Sequence, residues 1–174
     1  FINRNKFREK LDHNFINVLL MGGSAGSIDL NNIMLKEITN FNRAYLKKIK
    51  FFIQIPESHI KVLKKKYSDL LDKNNCEFFS FKDDLNPQEY DIILSRSGSG
   101  SINEILYYTN NVYFTPHLIS RDQHQKFNLD YFLSHDMSQK NFYIPNKKKL
   151  TSQFYFNPLI NPHSIKKIIC YITR

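Results

Sequence analysis

The chain has 174 residues, enough for one domain with a substantial buried core, and its 41% hydrophobic and 24% charged residues describe a folded rather than a disordered chain. Its 25 Lys and Arg against 16 Asp and Glu leave a formal charge of +9, for which nucleic acid, an anionic membrane surface and a phosphate-bearing substrate compete as explanations and among which charge alone does not decide. No run in these 174 residues approaches the roughly 20 apolar residues that cross a bilayer.

Short apolar runs alternate with longer helical patterns. Phe15 to Met21 reads as a buried strand that stops at Gly22-Gly23, and from Ser27 onward Ile28, Leu30, Ile33, Met34, Ile38 and Phe41 recur near helical spacing. A second strand, Ile49 to Ile55, ends at Pro56, and a helix from about Glu57 to Leu71 carries Ile60, Leu63, Tyr67 and Leu70 on one face. Glu77 to Phe81 is a short third strand. Asp91 to Ser95 is a fourth, followed by Arg96-Ser97-Gly98-Ser99-Gly100-Ser101 and a helix through Leu106. Val112 to Thr115 gives a fifth strand halted by Pro116, then a helix from about Asp122 to Ser134, a sixth strand at Asn141 to Ile144, and a last helix at Ser164 to Ile172.

This rhythm means βαβ units, hence a Rossmann-like parallel sheet with helices on both faces. Cys76 and Cys170 lie in apolar contexts without metal spacing and read as buried reduced thiols. The basic runs Lys64 to Lys66 and Lys147 to Lys149 are not interleaved with stacking residues, so a solvated helix face and a loop account for them better than nucleic acid does.

In an open parallel sheet the ligand lies beyond the carboxyl ends of the strands. Two turns there are rich in Gly and Ser: Gly22-Gly23-Ser24-Ala25-Gly26-Ser27, and Arg96 through Ser101. Glycine admits an anion close to the backbone, and the amides opening the next helix point their positive dipole end at it. The first turn is neither the dinucleotide fingerprint nor a P-loop and serves equally as a plain tight turn. After the second, Glu104 is spaced to accept from a ribose hydroxyl pair, or is an ordinary surface glutamate. A polar helix start, Arg121 to Asn128, suits a sugar ring, with His124 as a candidate base; a decorated helix cap explains the same residues.

Taken together and in this order, the motifs resemble the carboxy-terminal domain of the MurG family of bacterial GlcNAc transferases. Val18 to Ser27 with Leu30-Asn31 resembles that family's GGSxGA…LN segment; Phe81-Lys82-Asp83-Asp84-Leu85 its FIDDM-type loop; Asp91 to Glu104 its D-V-V-x-x-RSGAxTxxE run; Asp122 to Asn128 its DxHQxxN motif; and Asn5-Lys6-Phe7-Arg8 its NPVR lead-in. The resemblance spans nearly the whole chain and thins after about Asn146. Lys6, Ala25 and Asn110-Asn111 depart from the family's usual residues.

The resemblance implies one half of a two-domain GT-B glycosyltransferase that moves GlcNAc from UDP-GlcNAc to undecaprenyl-pyrophosphoryl-MurNAc-pentapeptide in peptidoglycan synthesis. Residues 1–14 would lead in from an amino-terminal domain and 15–174 would bind the donor. Arg8 would contact the donor's phosphate, Ser24 the diphosphate, the backbone around Lys82 the uracil edge, and Ser99, Gly100, Ser101, Ile102 and Asn103 the phosphate and ribose. Glu104 would hold the ribose hydroxyls and Gln125 those of GlcNAc, which demotes His124 from base to neighbour. No catalytic base is expected in this chain, and neither metal nor cofactor. The lipid-linked acceptor would meet the other domain at the cytoplasmic side of the inner membrane, an anionic surface, with no nucleic acid involved; the chain by itself would be inactive. Phe1 in place of Met points to a fragment. A decayed or non-catalytic nucleotide-sugar-binding fragment, and the donor subunit of a two-chain dolichol-linked GlcNAc transferase, are the alternatives.

Overall fold

A computed structural model of the chain describes residues 15–108, 112–117 and 124–134. The lead-in segment with Arg8, the expected strand at 141–144, the expected helix at 164–172 and Cys170 lie outside the described residues.

Five strands, β1 (Ile16–Met21), β2 (Ile49–Gln54), β3 (Cys76–Phe79), β4 (Ile92–Arg96) and β5 (Val112–Thr115), form one sheet in the order β3-β2-β1-β4-β5, every pair parallel. The connecting helices are α1 (Ile28–Thr39), α2 (Arg43–Leu46), α3 (Ile60–Ser68), α4 (Ser99–Tyr108) and α5 (His124–Ser134), with short 3-10 turns at Glu57–His59, Lys73–Asn75 and Pro87–Glu89. Residues alternate between faces along a strand. Val18 and Leu20 of β1 pack on one face with Phe51, Ile53, Leu30 and Met34 of α1, and Leu63 and Tyr67 of α3. Leu19 packs on the other with Phe52, Ile93, Phe114, Ile102 and Ile105 of α4, and Leu129 of α5. The helices thus change faces where strand order reverses, between β1 and β4. That reversal is a topological switch point, and the crevice above it is the natural ligand site of such a sheet.

The expected elements shift only at their ends. The span Glu57 to Leu71 divides into a 3-10 turn and a nine-residue helix, because neither Pro56 nor His59 caps its start with a side chain. The third strand ends at Phe79 rather than Phe81: Ile55 N donates to Phe79 O at 2.8 Å as the last rung, and Pro56 beyond it has no N–H to continue the ladder. Cys76, on this edge strand, is half-buried rather than buried, and its Sγ donates to Asp72 O at 3.2 Å. The lysines of the 64–66 run are exposed on α3, as a solvated face requires. No helix among the described residues is long and apolar enough to cross a membrane.

Beneath the switch point a buried polar chain locks α1, α3 and β2 together. Asn31 Nδ2 donates to Ser27 O at 2.8 Å and to Gln54 O at 3.0 Å, and the Tyr67 phenol donates to Asn31 Oδ1 at 3.0 Å. Tyr67 is fully buried, and burial pushes its phenol pKa well up; Tyr90 is raised for the same reason. The folded chain therefore keeps protons that an unfolded tyrosine loses near pH 10, so this stability is complete below about pH 10 and declines as pH rises further. Tyr67→Phe should lower stability at pH 7 by about 1 kcal/mol and flatten the alkaline decline, read by thermal unfolding from neutral to alkaline pH. An unchanged alkaline slope would show that Tyr67 is not the titrating group.

Candidate functional site at the switch point

The first glycine turn leaves β1 at Met21 and closes through Gly26 N to Gly23 O at 3.1 Å, with Ser24 and Ala25 exposed at its corners. Gly23 and Gly26 hold φ of 87° and 72°, a left-handed backbone that side chains disfavour. Ser27 caps α1: its Oγ accepts from Leu30 N at 3.2 Å. Asp29 sits in the first turn of α1 and already supplies that helix end with negative charge.

The second turn is shorter than its sequence suggests. Ile102 N donates to Gly98 O at 2.9 Å, so Gly98 is the cap and Ser99, Gly100 and Ser101 form the first turn of α4. Their three amides have no intrahelical acceptor, and no acidic residue occupies that turn. A methyl on Gly23 would lie 3.9 Å from Ser101 Oγ, and one on Gly98 would lie 3.8 Å from it, so this hydroxyl stands between the two loops. The start of α4 is consequently the stronger anion site of the two. Ile102 is a core residue, only 6% exposed, with its amide spent inside the helix. Asn103 and Glu104 are exposed on the following turn.

Beside the first glycine turn lies a cleft of about 390 Å³, lined by Gly22, Gly26, Ser27, Asp29, Pro56, Arg96, His117 and Gln125. Arg96, 2% exposed, is its buried cornerstone. Its Nε donates to Ser27 Oγ at 3.1 Å and its Nη1 to Pro116 O at 2.6 Å, while Nη2 stands 3.8 Å from Asp29 Oδ2 without a hydrogen bond of its own. Burial lowers the guanidinium pKa and the Asp29 carboxylate opposes that shift. His117 Nε2 lies 2.7 Å from the same Asp29 oxygen.

Gln125 opens α5 at the cleft. Its Oε1 accepts from His117 N at 2.8 Å and its carbonyl from Ser97 Oγ at 2.7 Å. Asn128 Nδ2 donates to Ser97 O at 3.2 Å, which fixes α5 against the β4 loop. His124 is exposed and does not line the cleft. Lys82 lies past β3 at the same carboxyl edge, 3.7 Å from Glu77, beside a 64% exposed Phe81.

Of the expected residues, Gln125 lines the cleft, whereas Ser24, Lys82 and Ser99 to Glu104 follow the carboxyl ends of β1, β3 and β4 outside its lining, and Arg8 lies outside the described residues. Sequence reasoning passed over Gln54, Asp29 and His117, and placed Arg96 in the second turn without a role of its own. The available signal was polar residues ending apolar strands: Gln54 after Phe51-Phe52-Ile53, and Arg96 after Ile92-Ile93-Leu94. Among the described residues no group of three or more His, Cys, Asp or Glu is placed to hold a metal ion.

A 3-2-1-4-5 parallel sheet with an acid-free helix start and two glycine turns at its switch point defines a Rossmann-like domain. The Glycosyltransferase family 28 C-terminal domain matches residues 17–153, and the chain belongs to that family. It is similar to the UDP-N-acetylglucosamine--N-acetylmuramyl-(pentapeptide) pyrophosphoryl-undecaprenol N-acetylglucosamine transferase of Pelagibacter ubique, 27% identical over 92% of this chain and 43% of that protein. The protein of the same name from Leptospira interrogans is 29% identical over 73% of this chain and 35% of its own length. In fold it resembles the crystal structure of Acinetobacter baumannii MurG, with a TM-score of 0.66 at 20% identity over 98% of this chain and 44% of that one. The chain thus spans less than half the length of these relatives.

Proposed function

We propose that this chain is the donor-binding domain of a MurG-type glycosyltransferase, holding UDP-GlcNAc while GlcNAc passes to undecaprenyl-pyrophosphoryl-MurNAc-pentapeptide. The start of α4 carries the reading: three first-turn amides and the Ser101 hydroxyl gather at the switch point with no competing carboxylate in that turn. As the bond from the anomeric carbon to the diphosphate breaks, negative charge grows on the leaving phosphate, where preorganised amides and a helix dipole lower the barrier. Glu104, one turn further along α4, takes the ribose hydroxyls. Gln125 presents its Nε2 to the sugar, since its Oε1 is already held by His117 N. Residues Phe81 and Lys82, at the far side of the same edge, take the base.

In this reading the acceptor and the base that activates it come from a further domain, and the two meet across the cleft. The work is done at the cytoplasmic face of the bacterial inner membrane, where the chain's +9 charge favours an anionic surface. A calorimetric comparison of UDP with its 2′,3′-dideoxyribose analogue tests the ribose assignment. Glu104→Ala should weaken UDP by about tenfold, near 1.4 kcal/mol, and leave the affinity for the dideoxy analogue unchanged. An equal loss for both ligands would remove Glu104 from the ribose site.

A further inference from the structure

We propose that Gln54, which sits beneath the ligand loops, is the positioning residue that sets the base-reading loop against the first glycine turn and so governs uridine preference; this rests on the donor-binding reading above. Gln54 is the last residue of β2 and 4% exposed. Along β2, Ile49, Phe51 and Ile53 face the α1 and α3 side while Phe52 faces α4, so alternation carries the Gln54 side chain to the Phe52 face. There its amide bridges two loops. Its Oε1 accepts from Gly22 N at 2.8 Å, the first residue of the glycine turn, and its Nε2 donates to Ser80 O at 3.2 Å, the residue before Phe81 and Lys82.

Both contacts fall where the sheet stops holding the chain. The backbone ladder between β2 and β3 ends at Ile55 N to Phe79 O, and one residue later the Ser80 carbonyl is bound by Gln54. The ion pair from Lys82 to Glu77 is half-exposed at 3.7 Å and holds that loop weakly. The Gln54 backbone is fixed in turn, because its carbonyl accepts from Asn31 Nδ2 at 3.0 Å. A primary amide suits this bridge because it offers an acceptor and a donor on one rigid plane. Its planarity ties the spacing of Gly22 and Ser80 together, so the distance from the glycine turn to the base-reading loop is built into one buried side chain.

The test is the ratio of affinities for UDP and ADP, measured calorimetrically on the whole chain, with amide exchange of Gly22 followed in the ligand-free protein. Gln54→Met keeps the volume and removes both bonds. It should cut the preference for UDP over ADP by about tenfold and speed the exchange of Gly22, while amides in β1 and β4 stay protected. A variant that keeps the wild-type UDP to ADP ratio, or loses both nucleotides by the same factor, overturns the proposal and gives Gln54 a purely structural role. Should the methionine variant fail to fold, Gln54→Glu assayed at about pH 9, where the carboxylate keeps the bond from Gly22 but cannot donate to Ser80, must show the same fall in preference. A wild-type chain with no uridine preference would instead overturn the donor-binding reading, and this inference with it.

Discussion

Gly22→Ala is expected to abolish UDP binding and to destabilise the chain by about 2–3 kcal/mol, because the methyl has nowhere to go. It would stand 2.5 Å from the Gly26 carbonyl carbon and 2.6 Å from Ser27 Cβ, and closer still to Ser27 N. These are backbone and cap atoms rather than the ends of flexible side chains. Relief requires the Gly23 to Gly26 turn to open, which pulls Ser27 from its cap on Leu30 and from Arg96. The contrast is Gly100, inside the first turn of α4, where an added methyl meets no heavy atom within 4 Å. Gly100→Ala should stabilise the helix by about 0.5–1 kcal/mol without disturbing the fold. Thermal unfolding and nucleotide titration of both variants check the pair. If Gly22→Ala folds and binds as the parent does, the turn is not the rigid wall of the cleft.

Arg96→Met is expected to cost about 3–5 kcal/mol, which for a domain of this size lowers the melting temperature by about 10 °C. The substitution leaves Pro116 O without the Nη1 donor that reaches it at 2.6 Å, removes the tie from Nε to Ser27 Oγ, and withdraws the cation facing Asp29. An unpaired acceptor left in a buried site carries a full desolvation cost. Arg96→Lys should recover little, because one ammonium cannot reproduce a fork whose separate nitrogens serve β5, α1 and Asp29. Thermal melts of the two variants decide it. A lysine variant as stable as the parent would mean that charge alone matters at this position, and a methionine variant melting within a few degrees of the parent would deny Arg96 its role as cornerstone.

Much of this fold was readable from apolar runs and their terminators. β1, β2, β4 and β5 are buried through most of their length and so appear as mainly apolar runs, interrupted at Asn17 and Lys50 and stopped by Gly22, Pro56, Ser97 and Pro116. α1 announced itself through Ser27 and the apolar spacing behind it. The four-residue α2 was missed because a single turn has no periodicity; its signal is Asn42, whose Oδ1 caps Ala44 N at 2.9 Å. The order of the strands was not legible, since alternation of β and α implies parallel pairing without saying that β4 crosses back beside β1.

The site divides the same way. Its loops carry motif residues that a sequence displays directly, and Ser24, Ser99 to Ser101, Glu104 and Gln125 follow the carboxyl ends of strands β1, β4 and β5. Ile102 was drawn into the site by its neighbours in the motif, whereas helical phase turns its side chain into the core. The residues that hold the loops in place were not recognised in that role. Gln54, Arg96 and Asp29 come together only through contacts 26 to 69 residues apart in the chain, which no local pattern encodes.

The most direct measurement is calorimetric titration of the whole chain with UDP-GlcNAc, with UDP-glucose and ADP as controls. A donor-binding domain should give saturable binding of UDP-GlcNAc with a dissociation constant below about 1 mM, weaker binding of UDP-glucose, and still weaker binding of ADP. Equal affinity for ADP, or no heat from UDP-GlcNAc at millimolar concentration, would contradict the donor-binding reading.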